Sequence, residues 1–179
     1  MEVKSVEKLS SMGEKPVILY INGVSSAGKS SACRYLMSLL RQPAIYLSLD
    51  QFHNALCDSY ATDDWKLYNK ECYGLHRTAK VWHSLGLNVV IDNVLETEKL
   101  AQDAVTVLPD AVFVGFHASL ETLLAREKLR QRHHYKLVRY QFERVHQHVA
   151  YALEIDTEKS SAEQIAEQLY QFIQPLGAC

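Results

Sequence analysis

Eight consecutive residues, Gly23-Val24-Ser25-Ser26-Ala27-Gly28-Lys29-Ser30, fit the pattern G-x-x-x-x-G-K-[ST] without a mismatch. That spacing suits one chemistry above others, the cradling of phosphate. Two glycines let the backbone curl so that several N–H groups point inward at anionic oxygens. Lys29 would neutralise the β- and γ-phosphates of a nucleotide, and the Ser30 hydroxyl would ligate Mg²⁺. Chance occurrence of a glycine-rich turn is the competing reading, and the context argues against it. The apolar run 17–21 precedes the motif, and Cys33, Leu36, Met37 and Leu40 follow at helical spacing. The order is therefore strand, turn, helix N-terminus, with the helix dipole adding positive potential where phosphate would sit.

Two carboxylates stand where a second and a third strand should end. Asp50 follows Tyr46-Leu47-Ser48-Leu49, and Asp92 follows Val89-Val90-Ile91. Ligands of open α/β sheets bind at the carboxyl ends of strands, so both acids are expected on the rim that carries the glycine-rich loop. Asp92, after three β-branched residues, has the form of an acid that holds Mg²⁺. Asp50 is placed to accept a proton from an acceptor hydroxyl. For each, a helix N-cap is the alternative.

Segment 126–144 carries seven Lys/Arg against two acids, a local charge of +5 on a chain of net charge −2. Beside a phosphate-binding loop, Arg126, Arg130 and Arg132 read as a lid over about 126–136, their charges covering a transferring phosphoryl group. A solvated helix face is the alternative. His53, one turn beyond Asp50, either lines an acceptor pocket or caps a helix. The pairs His133-His134 and His146-x-His148 lack the companion spacing of a metal site. Segment 51–74, rich in aromatics and acids, fits no clear element along much of its length and reads as an insertion walling the acceptor pocket.

The elements that must position these residues alternate along the chain. Strands are expected at 17–22, 44–49, 88–92, 111–116 and 151–155. Helices are expected at about 29–41, 73–86, 96–104, 119–130, 135–147 and 160–173, the last opened by Ser160 and Glu163 at capping-box spacing. Pro43 and Pro109 each precede a strand. The expected fold is a three-layer α/β P-loop domain, nucleoside-kinase-like, with a five-stranded parallel sheet over 16–179 after a polar leader, 1–15. At 179 residues, 47% apolar and 22% charged, the chain suits one soluble domain. Its net charge argues against general nucleic-acid binding. No apolar stretch has membrane-spanning length, and the leader lacks a secretory core, so a cytoplasmic setting is expected. Cys33, Cys57, Cys72 and Cys179 are scattered and read as reduced thiols. A homo-oligomer is left open.

With these residues placed, the chain resembles the chloramphenicol phosphotransferase family over about residues 17–173. That family's loop reads N-G-x-S-S-A-G-K-S, as does 22–30 here. Its catalytic aspartate stands where Asp50 stands, and its third strand ends in a run like Ile91-Asp92-Asn93-Val94, with Asn93 here replacing an acid. Its basic lid begins Arg-Glu, as in Arg126-Glu127. Val145-His146 and the final strand Glu154-Ile155-Asp156-Thr157 are also similar. The resemblance implies ATP and Mg²⁺ as cofactors and O-phosphorylation of a small hydroxyl-bearing acceptor. It also implies a nucleotide site formed by 23–30, Ser31 and the loop at Asp156 and Thr157, which would border adenine. The segment after Asp50 departs from the family and leaves the acceptor open. A nucleoside or metabolite kinase on the same scaffold, or a nucleotide-dependent switch protein, are the alternatives.

Overall fold

The structure is a computed structural model that describes residues 15–56, 65–131 and 134–177. Among these, strands β1 (Ile18–Gly23), β2 (Ala44–Ser48), β3 (Asn88–Asn93), β4 (Ala111–His117) and β5 (Leu153–Asp156) form one sheet. Its order is β2-β3-β1-β4-β5, with every neighbouring pair parallel. The helices are α1 (Lys29–Leu39), α2 (Leu49–Asn54), α3 (Trp65–Ser84), α4 (Glu98–Val107), α5 (Leu120–Leu129), α6 (Tyr135–Phe142) and α7 (Ala162–Ile173).

Both faces of the sheet are covered, which explains why β1 and β3 are buried at every position. Alternation along β1 splits the core in two. Leu19 and Ile21 join Leu36, Leu123, Ile165 and Leu169 on one side. Ile18 and Tyr20 join Leu75, Ile91 and Leu100 on the other. β1 lies at the centre, between β3 and β4, so the chain reverses direction across the sheet beside the loop that follows β1. Crevices of this kind are where open α/β sheets take ligands.

Several expected boundaries shift for identifiable reasons. β2 stops at Ser48, whose hydroxyl accepts from the Gln51 N–H while the Gln51 side chain accepts from the Ser48 N–H. This capping box starts α2, so Asp50 lies in the first turn of a helix and does not close the strand. The capping box of α7 is Ser161 with Gln164, one residue beyond the expected pair. Part of the expected insertion is helical, because α3 begins at 65 rather than near 73. Residues 57–64 of that insertion, the leader to residue 14, and Cys179 lie outside the described residues. α6 ends at Phe142, earlier than expected, in a run of turns. Cys33 and Cys72 are buried free thiols. No helix among the described residues is long and apolar enough to cross a membrane.

Candidate active site

The loop between β1 and α1 wraps back over the strand end. Gly23 must be glycine, since a Cβ there would meet the Phe116 carbonyl at 2.7 Å. Gly28 caps α1 at φ 93°, a left-handed conformation that costs glycine nothing. Ser26 also has positive φ, 67°, without being glycine.

Three side chains meet beneath the loop. The Lys29 ammonium is buried and donates to the carbonyls of Gly23 at 2.9 Å and Val24 at 3.1 Å. It lies 3.8 Å from Asp92 Oδ1. Burial pushes the Lys29 pKa down, and Asp92 pulls against that shift. Ser30 Oγ donates to Asp92 Oδ2 at 2.6 Å, and Tyr46 donates to the same oxygen at 3.0 Å. Burial and then the Asp92 charge raise the Tyr46 phenol, so it stays a donor. Asp92 thus lies in β3 facing the loop, and the cap of α4 is Thr97. The N-cap alternative is excluded for Asp92, as it is for Asp50, where Ser48 is the cap.

A cavity of about 380 Å³ opens in front of this cluster. Ser25, Ser26, Gly28, Lys29, Ser30 and Asp92 line its inner wall; Asp50, His53, Asn54, Tyr68, Asn93 and Val94 line another. Arg130, His134, Leu137 and Gln141 come from the basic segment. His53 is held at 3.2 Å by Glu71, itself buried on α3. A second cavity, about 300 Å³, also borders the loop, sharing Ser26 and Gly28 with the first. Its walls include Ser26, Ala27, Ser31, Arg126, Leu129, Thr157 and Ile165, and Arg130 borders both cavities.

The basic segment divides its labour. Arg126 donates to Thr157 Oγ1 at 3.0 Å and to the Thr157 carbonyl at 2.8 Å, which pins it to the second cavity. Arg130 caps α5. Arg132 and His133 lie outside the described residues. Asp156 is ion-paired with Lys159 at 2.7 Å and accepts from the Glu158 N–H, while its neighbour Thr157 is the one that lines the cavity.

Sequence reasoning missed Glu127 and Gln141, both buried. Glu127 accepts from Ser26 Oγ at 2.6 Å, and Gln141 Oε1 accepts from the Ser25 N–H at 2.9 Å. Gln141 also donates to Glu96, whose carboxyl burial raises. The only sequence signal for Glu127 was its place beside Arg126.

Behind the loop, His146 stacks on His117 with ring centroids 4.0 Å apart and bonds Tyr151, whose hydroxyl accepts from Asn22 at 2.6 Å. Burial first, and then His117, lower the His146 pKa to about 4. The unfolded chain takes up this proton near 6.5, so between those values the unfolded state binds more protons. Stability from neutral His146 is therefore complete above about 6.5 and declines as pH falls toward 4. The melting-temperature gap between wild type and His146→Gln should narrow steadily as pH is lowered from 7 to 4.5. A gap independent of pH would overturn this assignment.

Comparison with known proteins agrees with this geometry. The profile of the family described as chloramphenicol phosphotransferase-like protein matches residues 16–174. No curated protein sequence matches significantly. The Mycobacterium tuberculosis APS kinase CysC, solved with AMPPNP and APS, is similar at TM-score 0.74 and 14% identity. The match covers 90% of this chain and 99% of that one. A gluconokinase from Sinorhizobium meliloti 1021 is similar at TM-score 0.63 and 18% identity, covering 92% and 95%. Shikimate kinase from Aquifex aeolicus vf5 gives TM-score 0.60 and 14% identity, covering 89% and 97%. Identities this low establish the shared fold, that of P-loop kinases. The family match covers nearly the whole described chain, including the glycine-rich loop, Asp50, Asp92 and the basic segment that line the two cavities: the chain belongs to the chloramphenicol phosphotransferase-like family.

Proposed function

We propose that this protein transfers the γ-phosphoryl group of ATP to a hydroxyl of a small molecule. The observation that carries the reading is a pair of cavities that share Ser26, Gly28 and Arg130 as lining, with Lys29, Ser30 and Asp92 clustered in the wall of the first. The second cavity suits the base and sugar of the nucleotide, with Thr157, Ser31 and Ile165 as walls and Arg126 fixing Thr157. The first suits the acceptor, with Asp50 beside the phosphate end.

Ser30 and Asp92 offer hard oxygen donors already 2.6 Å apart, the donor type Mg²⁺ prefers, and open cavity beside them leaves room for water ligands. The residues present therefore fit the ion, and the chemistry it supplies at such a site is neutralisation of charge on phosphate oxygens. Amides of the loop and of the first turn of α1, together with the Lys29 ammonium, hold the phosphates. Asp50 accepts the proton of the acceptor hydroxyl, and Arg130, bordering both cavities, covers the group in transit. Positioning and electrostatics carry the catalysis, with no covalent enzyme intermediate.

The acceptor is the open term. A screen of ADP release across hydroxyl-bearing antibiotics, nucleosides and sugars should find at least one that accelerates ATP consumption and gains a phosphoryl group. Slow hydrolysis that no acceptor accelerates would overturn the proposal in favour of a nucleotide-dependent switch.

A further inference from the structure

Glu127 is the most deeply buried acid of the basic segment, with 0% of its surface exposed. A buried carboxylate is costly unless its oxygens are paired, and each oxygen here has a donor. Oε2 accepts from Ser26 Oγ at 2.6 Å, and Oε1 accepts from the His134 N–H at 3.1 Å. The first donor belongs to the glycine-rich loop and the second to the start of α6, on the far side of the lid segment. One side chain therefore joins the two parts that must enclose phosphate.

The partner it chooses in the loop is unusual. Ser26 holds φ 67°, a left-handed conformation that side chains rarely adopt and that persists only when its surroundings impose it. The neighbouring turn, Ala27 N–H to the Val24 carbonyl at 3.1 Å, supplies one constraint. A short, charge-assisted bond from the Ser26 hydroxyl supplies a stronger one. The conformation of Ser26 sets where its own amide points and how the chain enters the turn at Ala27, and hence the shape of the phosphate cradle.

We infer that Glu127 is a positioning residue: through Ser26 it holds the glycine-rich loop in its phosphate-binding shape, and through His134 it ties that shape to the placement of α6. The inference rests on the nucleotide-binding reading of the loop. Glu127 touches no reacting atom and acts through Ser26.

The test is a double-mutant cycle on the full chain with wild type, Glu127→Gln, Ser26→Gly and the pair. Two quantities are read: affinity for a non-hydrolysable ATP analogue with Mg²⁺, and amide exchange over 24–27 in the nucleotide-free proteins. Glu127→Gln should weaken analogue binding by about tenfold, the scale of one charge-assisted hydrogen bond replaced by a neutral one, and should speed exchange over 24–27. In the Ser26→Gly background the same change should cost less than about threefold, because glycine holds a positive φ without an anchor. Equal losses in both backgrounds, with loop exchange unmoved, would overturn the inference in favour of simple core filling. Failure of wild type to bind the analogue would instead overturn the nucleotide reading, and the exchange cycle would still decide the role of Glu127. Should Glu127→Gln not fold, Ser26→Ala removes the hydroxyl while sparing the bond to His134. Faster exchange over 24–27 then supports the inference and unchanged exchange overturns it.

Discussion

Lys29→Ala is expected to lower ATP-dependent turnover by on the order of 10²–10³-fold or more, the range for losing one preorganised charge at a transition state. The ammonium is buried, fixed by two loop carbonyls and set 3.8 Å from Asp92, so it costs little reorganisation when phosphate arrives. Away from water its field is strong, and burial, which lowers its pKa, is the source of that strength. The fold should survive. Position 29 opens α1, where alanine is a good helix former, and Asp92 keeps the donors Ser30 and Tyr46. Turnover, ATP affinity and the melting curve, measured together, check the expectation. Unchanged turnover in a well-folded Lys29→Ala protein would remove the basis for phosphoryl transfer at this loop.

How far the sequence reached depended on whether a residue's role was local. The glycine-rich loop, the five strands and the position of Asp92 are local signals, since glycine spacing and β-branched runs act over a few residues. The end of β2 misled because Leu49 continues the apolar alternation of Tyr46-Leu47-Ser48, which hides the Ser48–Gln51 capping box. The first half of α3 was hidden by the mix of aromatic and charged residues over 65–73, which masks the helical series at Tyr68, Cys72, Leu75 and Ala79. The buried role of Glu127 was out of reach. Among lysines and arginines it reads as one member of a solvated ion-pair face, whereas its partner Ser26 is 101 residues away. Arg126 looked like a lid residue by charge, and only its bonds to Thr157 assign it to the second cavity.

Asp50 and Asp92 provide the sharpest separation of roles, because two similar substitutions should fail differently. Asp50→Asn preserves shape and removes a proton acceptor, so the rate of transfer should fall by roughly 10²–10⁴-fold, the usual range for a lost general base. ATP affinity should barely move, since Asp50 lines the acceptor cavity and not the second one. Asp92→Asn should act on the metal. The carboxylate that receives Ser30 at 2.6 Å, Tyr46 at 3.0 Å and Lys29 at 3.8 Å becomes neutral, so the Mg²⁺ concentration for half-maximal rate should rise. The neutral side chain also leaves Lys29 without its nearest acid, which should loosen ATP as well. Loose phosphoryl-transfer transition states need little base assistance, so the Asp50→Asn loss falls toward the lower end of its range if orientation of the acceptor dominates. ATP affinity and Mg²⁺ titrations on both variants decide the matter. Lost ATP binding with normal acceptor affinity in Asp50→Asn would reverse the assignment of the two carboxylates.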